Sequence, residues 1–273
     1  MSDLLSYFTT KSKQKMNEIK PEYPTVQWRT ELLNLKEQVK QKAVDPLQAL
    51  KQAQKIKNDY NLKSVKPNFN IQNAHLELCE TLDQAKEILK NYRTQNVPCT
   101  TTTFNILISL SSNLVSANAN FKLLLENKLK PNTYTFNGLI SYCNSLEQAR
   151  EIIKLMHDYN VNSNTQTYNN LLRLANNNNE LAEVIKSMED QNIEKNLITF
   201  NTLISSSKFF FQAMIYFKDL KAENFKPTIN TFTTLLKKAN TQDEVRELER
   251  LLKNEKIMPN NSWNNIRKTK YGF

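Results

Sequence analysis

The chain has 273 residues with 37 Lys plus Arg against 27 Asp plus Glu, a formal charge of +10, and it holds 37 Asn but only 2 Gly. So few glycines leave few left-handed turns, which argues against sandwiches and barrels and removes any Gly-rich phosphate loop, so helices remain. The cationic excess suits a phosphate-bearing partner only if it lies where that partner binds.

Residues 1–20 place Leu4, Leu5 and Phe8 on one helical face, followed by Lys11, Lys13, Lys15 and Lys20. They read either as a weak mitochondrial targeting segment or as a flexible basic N-terminus, with the cytoplasm as the alternative destination. Residues 21–68 read as a helical N-terminal capping unit: Trp28 to Lys42 forms a long helix, and Ala53, Ile56, Tyr60, Val65 and Pro67 prefigure a column pattern that follows.

From Phe69 the chain repeats itself. The fragments TFNIL, TFNGL, TYNNL, TFNTL and TFTTL put Asn73, Asn105, Asn137, Asn169, Asn201, Thr233 and Asn265 at intervals of 32 residues without an insertion. Phe104, Phe136, Tyr168, Phe200 and Phe232 stand one position earlier, and Leu107, Ile108 and their equivalents follow at helical spacing. A second apolar stripe begins twelve residues past each Asn, at Ala85, Ala117, Ala149, Leu181, Ala213 and Val245, and ends near Pro131, Pro227 and Pro259. Each unit is therefore two amphipathic helices, too small to bury its own apolar face, and the units must stack into an α-solenoid. Six repeats of 32 residues fill 69–260, and 261–273 forms a partial repeat or C-terminal cap.

No catalytic or metal constellation accompanies this pattern. Cys79, Cys99 and Cys143 form no CxxC pair, His75 and His157 lie in different columns, and no apolar run reaches membrane length. Neither an enzyme nor a cofactor is implied. Lys90, Lys122, Lys154, Lys186, Lys218 and Arg250 form a cationic ladder, but Glu87, Glu151, Glu183 and Glu247 stand three residues earlier and predict ordinary ion pairs on a solvated face.

The repeats lack the Trp and Gly of tetratricopeptide units. They resemble the pentatricopeptide repeat family through Thr135-Phe136-Asn137-Gly138-Leu139-Ile140, Ser145-Leu146-Glu147-Gln148-Ala149 and Leu129-Lys130-Pro131-Asn132. The family's usual unit has 35 residues. The three missing here fall between the helices, near Thr81, Asn113, Ser145, Asn177, Phe209 and Thr241, where the family has a Gly turn and often a Lys. The resemblance implies an all-α, right-handed α-solenoid of stacked antiparallel helix pairs that binds single-stranded RNA one repeat per base.

In that family the Asn-column residue and the last residue of the unit read the base. The pairs here are Asn73 with Thr100, Asn105 with Asn132, Asn137 with Asn164, Asn169 with Asn196, Asn201 with Thr228, and Thr233 with Asn260. By the family's pattern these imply a target near 5′-YYYYYA-3′. The last-residue column also has the chemistry of helix N-caps. The base-flanking column is Asn70, Thr102, Tyr134, Gln166, Ile198 and Asn230, with one stacking ring. The expected protein is a monomer acting on organellar RNA stability, processing or translation, alongside ribosome or RNA-processing proteins. The alternative is a protein-interaction scaffold such as a ribosome-associated or complex-assembly factor.

Overall fold

The computed structural model describes residues 68–272 continuously and, ahead of them, scattered positions between 30 and 56. The expectations for residues 1–20, and most of those for 21–68, lie outside the described residues. Among the described residues every regular element is an α-helix, and no helix is long and apolar enough to cross a membrane. The chain divides into two compact units, Met1–Lys130 and Pro131–Phe273.

In the first unit, helix α1 (Phe69–Leu76) pairs with α2 (Leu82–Arg93), and α3 (Thr101–Ser109) with α4 (Leu114–Glu126). Helix α1 also packs on α3. Leu35, Ala49 and Ala53 close over Ile71, Ala74 and Leu78, so the preceding helical residues cover the open side of α1. A second cluster joins Leu76, Cys79, Ala85, Leu89, Phe104, Leu107 and Leu124.

The second unit holds α5 (Thr133–Ile140), α6 (Leu146–Asp158), α7 (Thr165–Leu174), α8 (Asn178–Asp190), α9 (Leu197–Ser206), α10 (Phe210–Ala222), α11 (Ile229–Lys238), α12 (Gln242–Asn254) and α13 (Asn261–Tyr271). The odd-numbered helices pack on one another in series, and α5, α7, α9 and α11 each pack on the even helix that follows. The aromatic column lies inside: Phe136, Tyr168, Phe200 and Phe232 are buried, each ring worth about 2–3 kcal/mol of apolar transfer. Neighbouring even helices are stapled across one period by Arg150 to Glu183 at 2.7 Å and Gln212 to Asn178 at 2.9 Å. Helix α13 closes the stack with buried Trp263, and Lys270 donates to the Lys237 carbonyl at 3.0 Å.

Punctuation between helices is periodic too. Asn96, Lys128, Asn160, Asn192, Asn224 and Lys256 have φ between 52° and 61°. Each lies past an even helix, whose carbonyl three residues earlier accepts its N–H, as in Asn96 to Arg93 at 3.0 Å and Asn192 to Glu189 at 2.9 Å. The next residue's N–H reaches one carbonyl further back, as in Val97 to Tyr92 at 3.2 Å and Ile193 to Met188 at 3.0 Å. This paired bonding is the Schellman ending, usually given to Gly. The expectation that two glycines leave few left-handed turns is therefore corrected. Asn tolerates the left-handed region because its short polar side chain bonds locally, and six repeated bond pairs hold even Lys there.

Candidate nucleic-acid interface

Each odd helix begins at the last residue of the preceding unit. Thr100, Asn132, Asn164, Asn196, Thr228 and Asn260 are N-caps whose side-chain oxygens accept the N–H three residues on. In five of these caps the residue three on is Thr, and its hydroxyl accepts the cap's own N–H in return, as in Asn164 to Thr167 at 3.1 Å. This reciprocal box satisfies two helix-end donors at once. The five threonines, Thr103, Thr135, Thr167, Thr199 and Thr231, are fully buried. The even helices begin similarly at Thr81, Asn113, Ser145, Asn177 and Thr241, so the short inter-helix segment is occupied by caps; Phe209 alone of that column makes no cap bond.

The Asn column lies deeper than base-reading side chains facing open solvent would. Asn73, Asn137, Asn169 and Thr233 are buried, Asn137 at 3 % exposure, while Asn105 and Asn201 are half-buried. Asn73, Asn169 and Asn201 line clefts between successive odd helices. One cleft of about 330 Å³ is lined by Phe69, Asn70, Asn73, Glu77 and Thr100. Another of about 820 Å³ is lined by Asn169, Asn170, Arg173, Asn196, Ile198 and Asn201. Ile198, which lines the second cleft, is 63 % exposed, and Tyr134 is 72 % exposed.

Three of the paired positions are joined directly. In the third repeat, Asn164 Oδ1 accepts the Thr167 N–H at 3.0 Å and must therefore be an acceptor where Asn137 meets it. Asn137 accordingly donates its Nδ2 to that oxygen at 3.1 Å and turns its Oδ1 to the Thr167 hydroxyl at 2.7 Å. In the first repeat, Asn73 Nδ2 donates to Thr100 Oγ1 at 3.2 Å and the Thr103 hydroxyl donates to Asn73 Oδ1 at 2.7 Å. Since Thr103 uses its proton there, the Thr100 hydroxyl donates across the 3.2 Å contact between the two threonines, closing a ring of three bonds. In the fourth repeat, Asn169 Nδ2 reaches Asn196 Oδ1 only at 3.5 Å, the Thr199 hydroxyl donates to Asn196 Oδ1 at 3.1 Å, and Asn169 Oδ1 has no partner.

The other pairs differ. Asn201 Oδ1 is buried without a partner, and no hydrogen bond joins Asn201 to Thr228. The Thr233 hydroxyl donates to its own helix at the Ile229 carbonyl at 2.7 Å, while Asn260 caps α13 through the Trp263 N–H at 2.9 Å. Asn105 lies on α3 and Asn132 caps α5. Chemically, in the third repeat both Oδ1 atoms accept hydrogen bonds and amide N–H groups remain for a ligand, whereas the Thr233 hydroxyl retains only lone pairs.

The buried threonine column is the element that reading for base-contacting residues passes over. Its signal was present: Thr two positions before Asn105, Asn137, Asn169, Asn201 and Thr233, and three after the caps Thr100, Asn132, Asn164, Asn196 and Thr228, at the same period. The cationic ladder also departs from expectation. Its six residues are exposed, and among the described residues none is ion-paired with the Glu three positions earlier. Glu183 bonds instead to Arg150 of the preceding repeat. An exposed i,i+3 pair is worth too little to hold two long side chains together. Burial pushes the Cys79 thiol up to about 12 and raises Cys143, so both stay protonated and unreactive near neutrality. His75 is buried against the Tyr92 hydroxyl at 3.5 Å, His157 is exposed, and no metal-holding group of His, Cys, Asp or Glu occurs among the described residues.

A model of the pentatricopeptide repeat domain matches residues 87–145, 151–207 and 216–266. Comparison with curated proteins finds no match. Among solved structures, the chain is similar to the PPR domain of Arabidopsis thaliana protein-only RNase P 1 in complex with tRNA, at 14% identity and TM-score 0.48, over 64% of this chain and 94% of that one. It is also similar to the pentatricopeptide repeat protein PPR10 in complex with an 18-nt psaJ RNA element, at 16% identity and TM-score 0.46, over 95% of this chain and 42% of that one. A structure of the pentatricopeptide repeat protein PPR10 from maize gives 16% identity and TM-score 0.44, over 97% of this chain and 44% of that one.

Proposed function

The chain belongs to the pentatricopeptide repeat family, and from that premise we propose that it binds single-stranded RNA, one repeat to one base. The observation that carries the reading is the Asn137–Asn164 pair, in which both amide oxygens are engaged and N–H donors remain. Donors alone suit a base edge that offers neighbouring acceptors, as the N3 and O2 atoms of cytosine and the two carbonyls of uracil do. Thr233 with Asn260 combines an acceptor with a donor, which suits the adenine N6–H and N1. The target is thus close to 5′-YYYYYA-3′. Binding serves stability, processing or translation of an organellar transcript, with the mitochondrion as destination.

Selection from randomised RNA tests this. The expected outcome is enrichment of pyrimidines over five positions followed by adenine. In Asn137→Thr the third position should move towards adenine while the others hold; an unchanged profile would remove modular readout.

A second reading, a protein-interaction scaffold, is favoured by one feature. Phe209 at the N-cap of α10 and Phe211 and Ile215 on that helix are exposed, with the two rings stacked at 5.7 Å, where equivalent columns hold helix caps and several carboxylates. Equal, weak and fully salt-labile retention of C/U-rich and purine RNA would favour that reading.

A further inference from the structure

We propose that Thr167, and in the first repeat Thr103, are positioning residues that lock the neighbouring asparagine amide in one orientation and so set how sharply a repeat discriminates between bases. This rests on the readout reading above.

The lock follows from fixed donors and acceptors. An isolated asparagine amide can turn over and present either its oxygen or its nitrogen. Asn137 cannot do so without loss, because turning it would place its oxygen against Asn164 Oδ1 and its N–H against the Thr167 hydroxyl. Asn164 Oδ1 is held as an acceptor by the Thr167 N–H, and the Thr167 hydroxyl, which also lies 3.1 Å from Asn164 Oδ1, makes its shorter bond, 2.7 Å, to Asn137 Oδ1. One buried threonine therefore constrains both members of the pair. Asn73 is held in the same sense within its closed ring with Thr100 and Thr103.

Asn169 is the contrast within the same molecule. The Thr199 hydroxyl contacts Asn196 Oδ1 at 3.1 Å, as Thr167 contacts Asn164 Oδ1, but it makes no bond to Asn169: the bond from Asn169 to Asn196 is long, and the buried Asn169 Oδ1 is unpartnered. Asn169 lines a cleft of about 820 Å³. An amide without a lock can turn to suit a base offering a donor or one offering an acceptor. The fourth repeat, with the same two residue types as the third, should therefore be the more tolerant. Identical residue pairs then give unequal stringency, and the difference lies in a residue that touches no base.

The test measures binding of the full chain to six-nucleotide RNAs 5′-CUNCUA-3′ and 5′-CUCNUA-3′, with N each of the four bases. The wild type should discriminate more sharply at the third base than at the fourth. Thr167→Val should reduce the third-base pyrimidine preference by about fivefold, the loss of one hydrogen bond, with the fourth-base profile unchanged. Thr167→Ser, which keeps the hydroxyl, should restore it. Circular dichroism identifies a folding defect, and a profile flattened equally at both bases would assign Thr167 a structural role and overturn the lock. If Thr167→Val keeps the third-base preference while Asn137→Ala abolishes it, the lock falls and the readout stands. If the wild type shows no preference at the third base, both fall.

Discussion

At the residue scale, asparagine explains itself by position. It caps helices at Asn132, Asn164, Asn196 and Asn260, lines the clefts at Asn73, Asn169 and Asn201, and occupies left-handed turns at Asn96, Asn160, Asn192 and Asn224. Each role uses the same short amide, which bonds to nearby backbone more readily than it supports a helix interior. Lysine has no such means, so Lys256 at φ 55° carries the steric penalty of the left-handed region, about 1–2 kcal/mol. Lys256→Gly relieves that penalty and gives back about 0.5–1 kcal/mol through greater freedom of the unfolded chain. The expected net gain is about 0.5–1 kcal/mol, seen as a higher urea midpoint, with Asn192→Gly closer to neutral. The third role was not legible in the sequence, because glycine content is a poor guide where a bond pattern can hold other residues at positive φ.

At the element scale, the repeat was legible because its markers are side chains with fixed duties at a fixed period. The aromatic column and the apolar stripes predicted both helices of every pair, and the caps mark where each begins. What the stripes could not convey is direction within a pair of polar side chains. That Asn137 faces Asn164 follows from period and pairing, but that its oxygen turns to Thr167 depends on which neighbour already holds a proton. The caps also make stability local. Thr241→Ala removes the bond to the Glu244 N–H at 3.2 Å, and the box returned by Glu244 to Thr241 at 3.0 Å loses its reciprocal half. A loss of about 1 kcal/mol in chemical denaturation is expected, whereas Phe209 on α10 has no cap bond to lose.

At the scale of the whole molecule, the +10 charge does not sit where the paired columns lie. Residues 69–260 hold 21 Lys plus Arg against 20 Asp plus Glu, and the remainder of the excess falls before and after them. Among the cleft-lining cations named above, Arg173 is exposed on α7 and donates to the Ser141 carbonyl at 3.1 Å; Lys237 stands two repeats later in the same column. RNA affinity should therefore vary little with salt, with log Kobs falling at a slope of about −2 against log salt for a short single strand. A slope steeper than about −5 would mean that the Lys154, Lys186, Lys218 and Arg250 series grips phosphate, and would contradict the near-neutral interface.

The left-handed turns recur at an interval that never changes, and each is closed by the same two backbone bonds. A joint made by the main chain is indifferent to the side chains on either side of it. A repeat can therefore be copied, excised or exchanged at that joint without inventing a new turn, and the chain can change length by whole modules.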